Sequence, residues 1–317
     1  MKAAIIQQYG TADQLEVVAN IPTPTIQADE VLVENYAISI NPIDYKARQG
    51  LMQHLFKWQF PVILGWDLAG KVVAIGSAVT NFKVGDAVFA RPDIDPPRGK
   101  NGSYAEYTAV KADKLALKPQ NISYAAASAV PLAGQTALQM LRKLEIKSGQ
   151  KVLIQAGGAG GGVGMYAIQL AKQAGGAHVV TTASQANHDF VISLGADQVI
   201  DYHKNNIQDV LTDFDAVLDT VGDVAGGISI LKKGGRFLTI AASLSKEQQH
   251  SPGKVVMSGW VAPNSQDLTT LANYIANRKI KIVLDSTFPF TTAGMRAAHI
   301  RSETHHARGK IVVQIKN

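Results

Sequence analysis

Apolar and polar side chains alternate in short runs over the first 120 residues, which is the period-two pattern of half-buried strands. Turn-forming residues separate these runs from one another. The runs are "KAAIIQQ", "EVVANIP", "DEVLVENYAISI", "AGKVVAIG", "DAVFA" and "YAEYTAV". The pattern predicts a mostly β domain over residues 1–122.

The pattern changes after residue 122, where helix-like periodicity alternates with short buried strands. It predicts a strand at 151–156, a helix from about Val163, a strand at 178–182 and a helix at about 185–194. Further strands are predicted at 198–200, 215–219, 236–241 and about 255–260. Strands and helices in alternation favour an α/β fold with a doubly wound parallel sheet over residues 123–261.

The last stretch, about 262–317, predicts a helix in "DLTTLANYIAN", a strand in "KIVLDSTFPF", a short helix and a terminal strand in "KIVVQI". We expect it to return to the first domain and complete it. Since no low-complexity linker separates the two domains, a cleft between them is the natural ligand site.

Composition narrows the class of protein. The chain has 317 residues, 46% of them hydrophobic, and no apolar run near the roughly 18 to 20 residues of a membrane span. The N-terminus "MKAAIIQQYG" lacks the features of a signal peptide, so we expect a cytoplasmic protein without a membrane partner. Zero cysteines exclude disulfides and thiolate metal ligands. The net charge of +6 is dispersed, so a phosphate-bearing cofactor is expected rather than nucleic acid.

The glycine run in "KVLIQAGGAGGGVGMYAIQLAKQAG" stands between a predicted strand and a predicted helix. Strand, glycine turn and helix form the dinucleotide-binding context, in which amide groups at the helix start bind a pyrophosphate. We expect Gly161, Gly162, Val163 and Gly164 to make these contacts. The usual G-x-G-x-x-G spacing is absent, and a flexible turn that is merely rich in glycine is the alternative.

The end of the second strand of this domain bears on the choice of cofactor. NAD enzymes usually place an acid there on the adenosine ribose, but this chain has Thr182, Ala183 and Ser184. Hydroxyl groups without a carboxylate favour NADP. The alternative donor of an acid is Asp189, which we expect to face solvent from a helix, and no arginine or lysine stands beside the strand end in the sequence.

Six motifs occur in order and carry a resemblance to a known family. They are "NPIDYKAR", "FPVILGWDLAG", "VPLAGQTALQ", the glycine run, "SLGADQVIDY" and "THHARGKIVV". Together they resemble the zinc-free quinone oxidoreductase (zeta-crystallin-like) branch of the medium-chain dehydrogenase/reductase superfamily. The resemblance implies a GroES-like β-rich catalytic domain, a Rossmann domain, NADPH as the cofactor and a homodimer that pairs through "KVVMSGW".

Zinc-binding relatives of this superfamily carry their catalytic ligands at positions that match Asn41, Trp66 and Leu132 or Ala133. None of these side chains supplies a thiolate or an imidazole. Adjacent His305 and His306 would point to different sides of a helix, so no metal site is expected. The resemblance then implies hydride transfer from NADPH to acceptors that need no Lewis acid, namely quinones or α,β-unsaturated carbonyl compounds.

The resemblance also implies roles for individual residues. Asn41, with Tyr45 and Lys46 as candidate proton donors, forms the predicted catalytic group. Many members have tyrosine where this chain has Lys46, and the order Tyr-Lys resembles the enal-reducing branch, so both substrate classes stay open. Outside the glycine run, the predicted cofactor contacts are Pro42, Thr136, Thr182, Ser184, Tyr202, Val221, Ala241, Ala242, Ser243 and Lys310.

Two further readings remain at the level of sequence. The chain could be a crystallin-like or RNA-binding protein that holds NADPH without catalysis, or an enoyl reductase for a carrier-bound acyl chain. The glycine run is also two residues longer than the family form "IQAGAGGVG". We expect Gly157–Ala159 to bulge outward while residues 161–164 contact the pyrophosphate.

Overall fold

The computed structural model describes residues 1–94, 102–155 and 162–316. The chain divides into two units. Unit 1 comprises Met1–Leu132, Pro263–Arg278 and Ile282–Asn317, and unit 2 comprises Ala133–Ala262 and Lys279–Lys281.

The strands and α-helices are numbered in chain order. The strands are β1 (Ala3–Ile6), β2 (Glu16–Val18), β3 (Glu30–Ile40), β4 (Val62–Ile63), β5 (Leu68–Ile75), β6 (Ala87–Ala90), β7 (Tyr107–Lys111), β8 (Leu115–Leu117), β9 (Lys151–Ile154), β10 (His178–Thr182), β11 (Gln198–Ile200), β12 (Phe214–Asp219), β13 (Leu231–Thr239), β14 (Val255–Ser258), β15 (Leu284–Pro289) and β16 (Lys310–Gln314). The α-helices are α1 (Pro42–Arg48), α2 (Tyr124–Ser128), α3 (Pro131–Lys143), α4 (Val163–Gln173), α5 (His188–Ser193), α6 (Ile207–Val210), α7 (Val224–Ser229), α8 (Lys246–Gln249), α9 (Ser265–Ala276) and α10 (Thr292–Glu303).

Unit 1 is built on two sheets. The smaller has the order β2-β1-β4, and the larger has the order β15-β16-β3-β5-β6-β8, with β7 also paired to β3. The long strand β3 organises the larger sheet because it pairs antiparallel with β5, β7 and β16. The C-terminal strand therefore lies beside β3, with Ile311 opposite Ile40. Buried aliphatic and aromatic side chains from these strands form the core of the unit.

Unit 2 contains one six-stranded sheet in the order β11-β10-β9-β12-β13-β14, and every pair in it is parallel. In chain order this is the 3-2-1-4-5-6 arrangement of the Rossmann fold. Strands β9, β10 and β12 are almost wholly buried, as expected for a parallel sheet covered on both faces. The predicted α/β fold class is confirmed.

Helix α7 was missed by the sequence analysis, and β13 begins at Leu231 rather than at 236. The segment "VAGGIS" contains two glycines, which weaken a helical pattern. The structure supplies the reason for one of them, since a Cβ added to Gly227 would lie 2.5 Å from Cε2 of Phe237. Asp223 caps this helix by accepting a hydrogen bond from the amide of Gly226 at 3.1 Å. Packing and capping thus override the low helix propensity of glycine.

Helix α10 is twelve residues long, although only a short helix was expected there. Its N-cap Thr291 accepts a hydrogen bond from the amide of Gly294 at 3.1 Å. Within the described ranges, every helix falls short of the length and apolar character needed to cross a membrane.

Candidate functional site

The parallel sheet of unit 2 reverses its strand order between β9 and β12, and doubly wound sheets bind ligands at the carboxyl ends of strands at such a point. The glycine run follows β9, and α4 begins at its end with Gly162 as the N-cap. Gly162 has a φ of 88°, in the left-handed region that glycine adopts without strain. Predicted contact Gly161 and the predicted bulge Gly157–Ala159 lie outside the described residues.

The start of α4 fits an anionic group. Val163 and Gly164 form its first turn, where backbone amides have no intrahelical acceptor and the helix dipole is positive. Both residues directly follow the glycine N-cap, as the dinucleotide-binding context requires. These observations agree with the predicted pyrophosphate position, and the contacts themselves stay a prediction.

The ends of β10 and β11 lie side by side, because Thr182 and Ile200 are register partners in parallel strands. Thr182 is buried, while Ser184 is partly exposed and its Oγ accepts a hydrogen bond from Nδ2 of Asn187 at 3.3 Å. Asp189 has a fully exposed side chain on α5, as expected. It does not place an acid at the end of β10.

Asp219 is a buried acid at the end of β12 that the sequence analysis missed. One of its oxygens, Oδ1, accepts hydrogen bonds from the amides of Val221 at 2.9 Å and Gly222 at 2.8 Å. The other, Oδ2, accepts a hydrogen bond from Oγ1 of Thr239 at 2.7 Å. The carboxylate therefore ties the loop after β12 to the end of β13. An acid that ends a buried strand and is followed within three residues by glycine was the available sequence signal.

The loop after β13 holds three predicted cofactor contacts. The amides of Ala241 and Ala242 donate to Oγ1 of Thr239 at 3.1 and 3.2 Å, and Ser243 follows them with an exposed side chain. A cofactor would thus meet the carbonyl oxygens of Ala241 and Ala242 rather than their N–H groups. Whether it does so stays a prediction.

The remaining predicted contacts of unit 2 differ in exposure. Thr136 lies on α3 and is 6% exposed, whereas Val221 is 56% exposed and Tyr202 is 48% exposed. The ring of Tyr202 lies 4.3 Å from that of His203, centroid to centroid. Tyr202 and Val221 are therefore open to a ligand, and the role of Thr136 stays a prediction.

Unit 1 contains a buried polar group that we call the Asp67 centre, formed by Ser39, Asn41, Asp67 and Lys310. Oδ2 of Asp67 accepts hydrogen bonds from Oγ of Ser39 and Nδ2 of Asn41, each at 2.7 Å. Oδ1 of Asp67 accepts a hydrogen bond from the amide of Leu132, also at 2.7 Å. Three donors thus hold a carboxylate that has no exposure to water.

Lys310 supplies the positive charge of the Asp67 centre. Its ammonium lies 3.4 Å from Oδ2 of Asp67 and donates to the carbonyl of Ile40 at 3.1 Å and to Oδ1 of Asn41. Burial lowers the pKa of Lys310, and Asp67 and Asp44 oppose that shift. The side chains of Lys310 and Asp67 are both fully buried, so the ammonium contacts groups of its own unit.

Strand register explains how the Asp67 centre forms. Asn41 directly follows β3, and Lys310 begins β16, whose next residue, Ile311, is opposite Ile40. The antiparallel pairing therefore brings the ammonium to Asn41 across 269 positions of sequence. Both the amide oxygen and the amide nitrogen of Asn41 are bonded, which fixes its orientation. The predicted catalytic role of Asn41 and the predicted cofactor contacts of Pro42 and Lys310 stay predictions.

A second buried chain of side chains leads away from Asn41. The amide of Asn41 donates to Oδ2 of Asp44 at 2.6 Å. Burial raises the pKa of Asp44 to about 7, against the lowering effect of hydrogen bonds from Tyr104 and Asn41. The hydroxyl of Tyr104 lies 3.0 Å from Nε2 of His299, and Nε of Arg48 donates to Nδ1 of His299 at 3.3 Å.

The direction of these hydrogen bonds follows from Arg48. A guanidinium only donates, so Nδ1 of His299 accepts and the neutral ring carries its proton on Nε2. That N–H then donates to the Tyr104 oxygen, which leaves the Tyr104 hydrogen for Asp44. Burial and the charge of Arg48 lower the pKa of His299 to about 3, in agreement with a neutral ring.

The candidate proton donors lie on α1. The hydroxyl of Tyr45 lies 3.5 Å from Nε2 of His305, and burial, together with Glu303, raises the pKa of Tyr45. Lys46 is partly exposed and is turned by about 100° around the helix from Tyr45. The two side chains therefore do not share one face, and neither role is tested by the structure. His305 and His306 follow α10 rather than lying on a helix, which corrects the sequence interpretation.

The positions that match zinc ligands in relatives do not form a metal centre. Asn41 is bonded within the Asp67 centre, and Trp66 packs against Phe56 and Trp58 at centroid distances of 6.0 and 6.2 Å. Over residues 1–94, 102–155 and 162–316, no group of three or more His, Cys, Asp or Glu side chains could hold an ion. The donor set at these positions does not fit zinc.

Comparison with known proteins gives two matching family models. Residues 27–120 match the alcohol dehydrogenase GroES-like domain, and residues 194–313 match a family described as zinc-binding dehydrogenase. The chain is 39% identical over 316 residues to the chloroplastic NADPH-dependent alkenal/one oxidoreductase of Arabidopsis thaliana, covering 99% of this chain and 79% of that protein.

Solved structures show the same fold over the full length. The quinone oxidoreductase from Coxiella burnetii superposes with a TM-score of 0.91 at 35% identity, covering 100% of this chain and 99% of that one. Escherichia coli quinone oxidoreductase complexed with NADPH gives a TM-score of 0.87 at 27% identity, covering 99% of this chain and 100% of that one.

Proposed function

This chain belongs to the quinone oxidoreductase branch of the medium-chain dehydrogenase/reductase superfamily, and we propose that it is an NADPH-dependent reductase of quinones or α,β-unsaturated carbonyl compounds. Its relatives named above include an NADPH-dependent alkenal/one oxidoreductase and two quinone oxidoreductases. Both acceptor classes take hydride without a Lewis acid, which agrees with a donor set that does not fit zinc at Asn41 and Trp66.

The observation that carries the proposal is the parallel sheet of unit 2 with hydroxyl side chains at the end of β10. The 3-2-1-4-5-6 order brings the carboxyl end of β9 and the start of α4 to the reversal of strand order, and a dinucleotide bound at such a reversal is typical of this fold. Ser184 stands where an NAD enzyme would place an acid, and Asp189 points to solvent. These residues fit the 2′-phosphate that distinguishes NADPH from NADH.

In this function the residues of the chain bind and orient the cofactor. Gly162, Val163 and Gly164 would hold the pyrophosphate, and Asp219 would keep the loops after β12 and β13 in place. NADPH, when bound, supplies the hydride. Burial and Glu303 raise the pKa of Tyr45, which makes its hydroxyl a weaker acid, so this shift does not favour Tyr45 as the proton donor.

Activity tests the proposal directly. The purified protein is expected to oxidise NADPH in the presence of 1,4-benzoquinone or of simple enals and enones, with saturation in both substrates. NADH should bind roughly 10- to 100-fold more weakly, because it cannot use the donors at the end of β10. The measurement is the loss of NADPH absorbance across an acceptor panel. Cofactor binding without oxidation by any quinone or enone would refute the proposed catalysis.

A homodimer is also part of this proposal. Strand β14 is the last strand of the unit 2 sheet, and Val255 on it and Trp260 just beyond it are 42% and 50% exposed. Open strand edges pair readily with a second copy. Sedimentation is expected to give twice the 33.8 kDa of one chain. Trp260→Arg should shift the protein toward monomer, whereas Ile192→Arg, on α5 beside the opposite edge strand, should not. A monomeric parent would contradict the dimer.

A further inference from the structure

The turn after β11 brings a cation to the end of β10. Oδ1 of Asp201 accepts a hydrogen bond from the amide of His203 at 3.0 Å. The carbonyl oxygen of Asp201 accepts hydrogen bonds from the amides of Lys204 and Asn205, each at 3.0 Å. The chain therefore folds back on itself directly after the strand. This turn places Nζ of Lys204 3.5 Å from Oε1 of Gln185, the residue that follows Ser184.

The position of Lys204 suits recognition of an anion. Its side chain is 66% exposed, and its ammonium lies 3.6 Å from Oδ2 of Asp201. The side chain of Asp201 is only 14% exposed, and its other oxygen, Oδ1, accepts the hydrogen bond from the amide of His203. Asp201 therefore holds the lysine near the strand ends while the ammonium stays open to solvent. Gln185 contributes no charge, so the ammonium is a positive group beside the residue that follows Ser184.

A phosphate dianion needs charge as well as hydroxyl donors. The hydroxyl groups of Thr182 and Ser184 are neutral, and the sequence offers no arginine or lysine next to them. Lys204 is separated from Gln185 by 19 positions and becomes a neighbour only because β10 and β11 pair in parallel register, Thr182 opposite Ile200. An ammonium binds phosphate as a point charge with three donors.

We propose that Lys204 binds the 2′-phosphate of NADPH together with Ser184 and so determines the preference of this chain for NADPH over NADH. The assignment rests on the proposed function, because it deepens the cofactor site of that function. The adenosine ribose of a bound dinucleotide lies at the end of the second strand, here β10, within reach of both the serine hydroxyl and the ammonium.

The test compares two small probes on the full-length protein. Binding of 2′,5′-ADP, which carries the 2′-phosphate, and of 5′-AMP, which lacks it, is measured by calorimetry at constant ionic strength. Lys204→Ala is expected to weaken 2′,5′-ADP roughly 10- to 100-fold and to leave 5′-AMP unchanged. In kinetics the KM for NADPH should rise while the KM for NADH stays nearly constant. Lys204→Arg should retain most of the affinity for 2′,5′-ADP.

Lys233→Ala is the matched control, since it removes the same charge from an exposed lysine near the amino end of β13. In a parallel sheet the amino ends of the strands lie on the side of the sheet opposite their carboxyl ends, and so away from the proposed cofactor site. Equal affinity of Lys204→Ala and Lys233→Ala for 2′,5′-ADP, in a protein that binds and oxidises NADPH, would overturn the assignment of Lys204 and leave the proposed function intact. A parent protein that binds neither NADPH nor 2′,5′-ADP would overturn both.

Discussion

Replacing Lys310 by methionine is expected to lower the free energy of unfolding by about 3 to 5 kcal/mol. Its ammonium is fully buried 3.4 Å from the carboxylate of Asp67, which is fully buried as well. Methionine keeps much of the volume but removes the charge, so Asp67 would retain a buried negative charge without its cation. The bond from Lys310 to Oδ1 of Asn41 would be lost at the same time.

Urea unfolding of the parent and of Lys310→Met measures this effect. The control is Lys316→Met, because Lys316 forms an ion pair with Glu34 at 2.8 Å but is 52% exposed, and an exposed pair contributes about 0 to 1 kcal/mol. Asp67→Asn combined with Lys310→Met should cost less than the sum of the single changes, since no charge is then left unpaired. A loss for Lys310→Met as small as that for Lys316→Met would show that the pair does not stabilise the unit.

Lys310 was also predicted to contact the cofactor, and the same variant separates the two roles. If its ammonium only stabilises the Asp67 centre, the folded fraction of Lys310→Met should bind NADPH as the parent does. A large loss of nucleotide affinity without a loss of stability would assign Lys310 to cofactor binding instead.

Replacing Asp44 by asparagine is expected to make stability fall on acidification between about pH 6.5 and pH 4, by about 1.4 kcal/mol per pH unit relative to the parent. The reason is that the pKa values of Asp44 and His299 are shifted in opposite directions within one buried chain of hydrogen bonds. Burial raises the pKa of Asp44 from 3.8 to about 7, and burial with Arg48 lowers the pKa of His299 from 6.5 to about 3.

Proton counts give the sign. In this pH window the folded parent holds a proton on Asp44 and none on His299, whereas the unfolded chain holds none on Asp44 and one on His299. The two contributions cancel in the parent. Asp44 alone adds stability that is fully present below pH 3.8 and is lost as the pH rises through about 7; His299 alone adds stability that is present above pH 6.5 and is lost as the pH falls toward about 3.

Urea unfolding at a series of pH values and constant ionic strength makes both contributions visible. His299→Gln should show the opposite slope to Asp44→Asn, because only the raised pKa of Asp44 then remains. The double variant should return to the slope of the parent. Glutamine can still accept from Arg48 and donate to Tyr104, so His299→Gln keeps the chain of hydrogen bonds. Parallel pH profiles of the free energy of unfolding for the parent and Asp44→Asn would refute the opposite pKa shifts of Asp44 and His299.

Local pattern was sufficient for most of the elements around the proposed cofactor site. The predicted strand at 178–182 and the helix from Val163 coincide with β10 and the start of α4, since a short buried run bounded by turn residues and a helical period are both local signals. Helix α7 was not predictable, because the need for Gly227 arises from contact with Phe237 on another element. Asp219 was equally hidden, since its four-group network joins two loops 20 positions apart.

The sequence by itself determined the α/β class, the glycine turn before α4, the hydroxyl groups after β10 and the lack of thiolate or imidazole at the positions of zinc ligands. Each depends on residue type and spacing within a short window. Only the tertiary structure decided that Lys310 pairs with Asp67 and that Tyr104 lies between His299 and Asp44. It also decided that the ammonium of Lys204 lies beside Gln185, the residue that follows Ser184. Strand register and burial produce these contacts between residues distant in the chain, and burial is the largest cause of the shifted pKa values of Asp44 and His299.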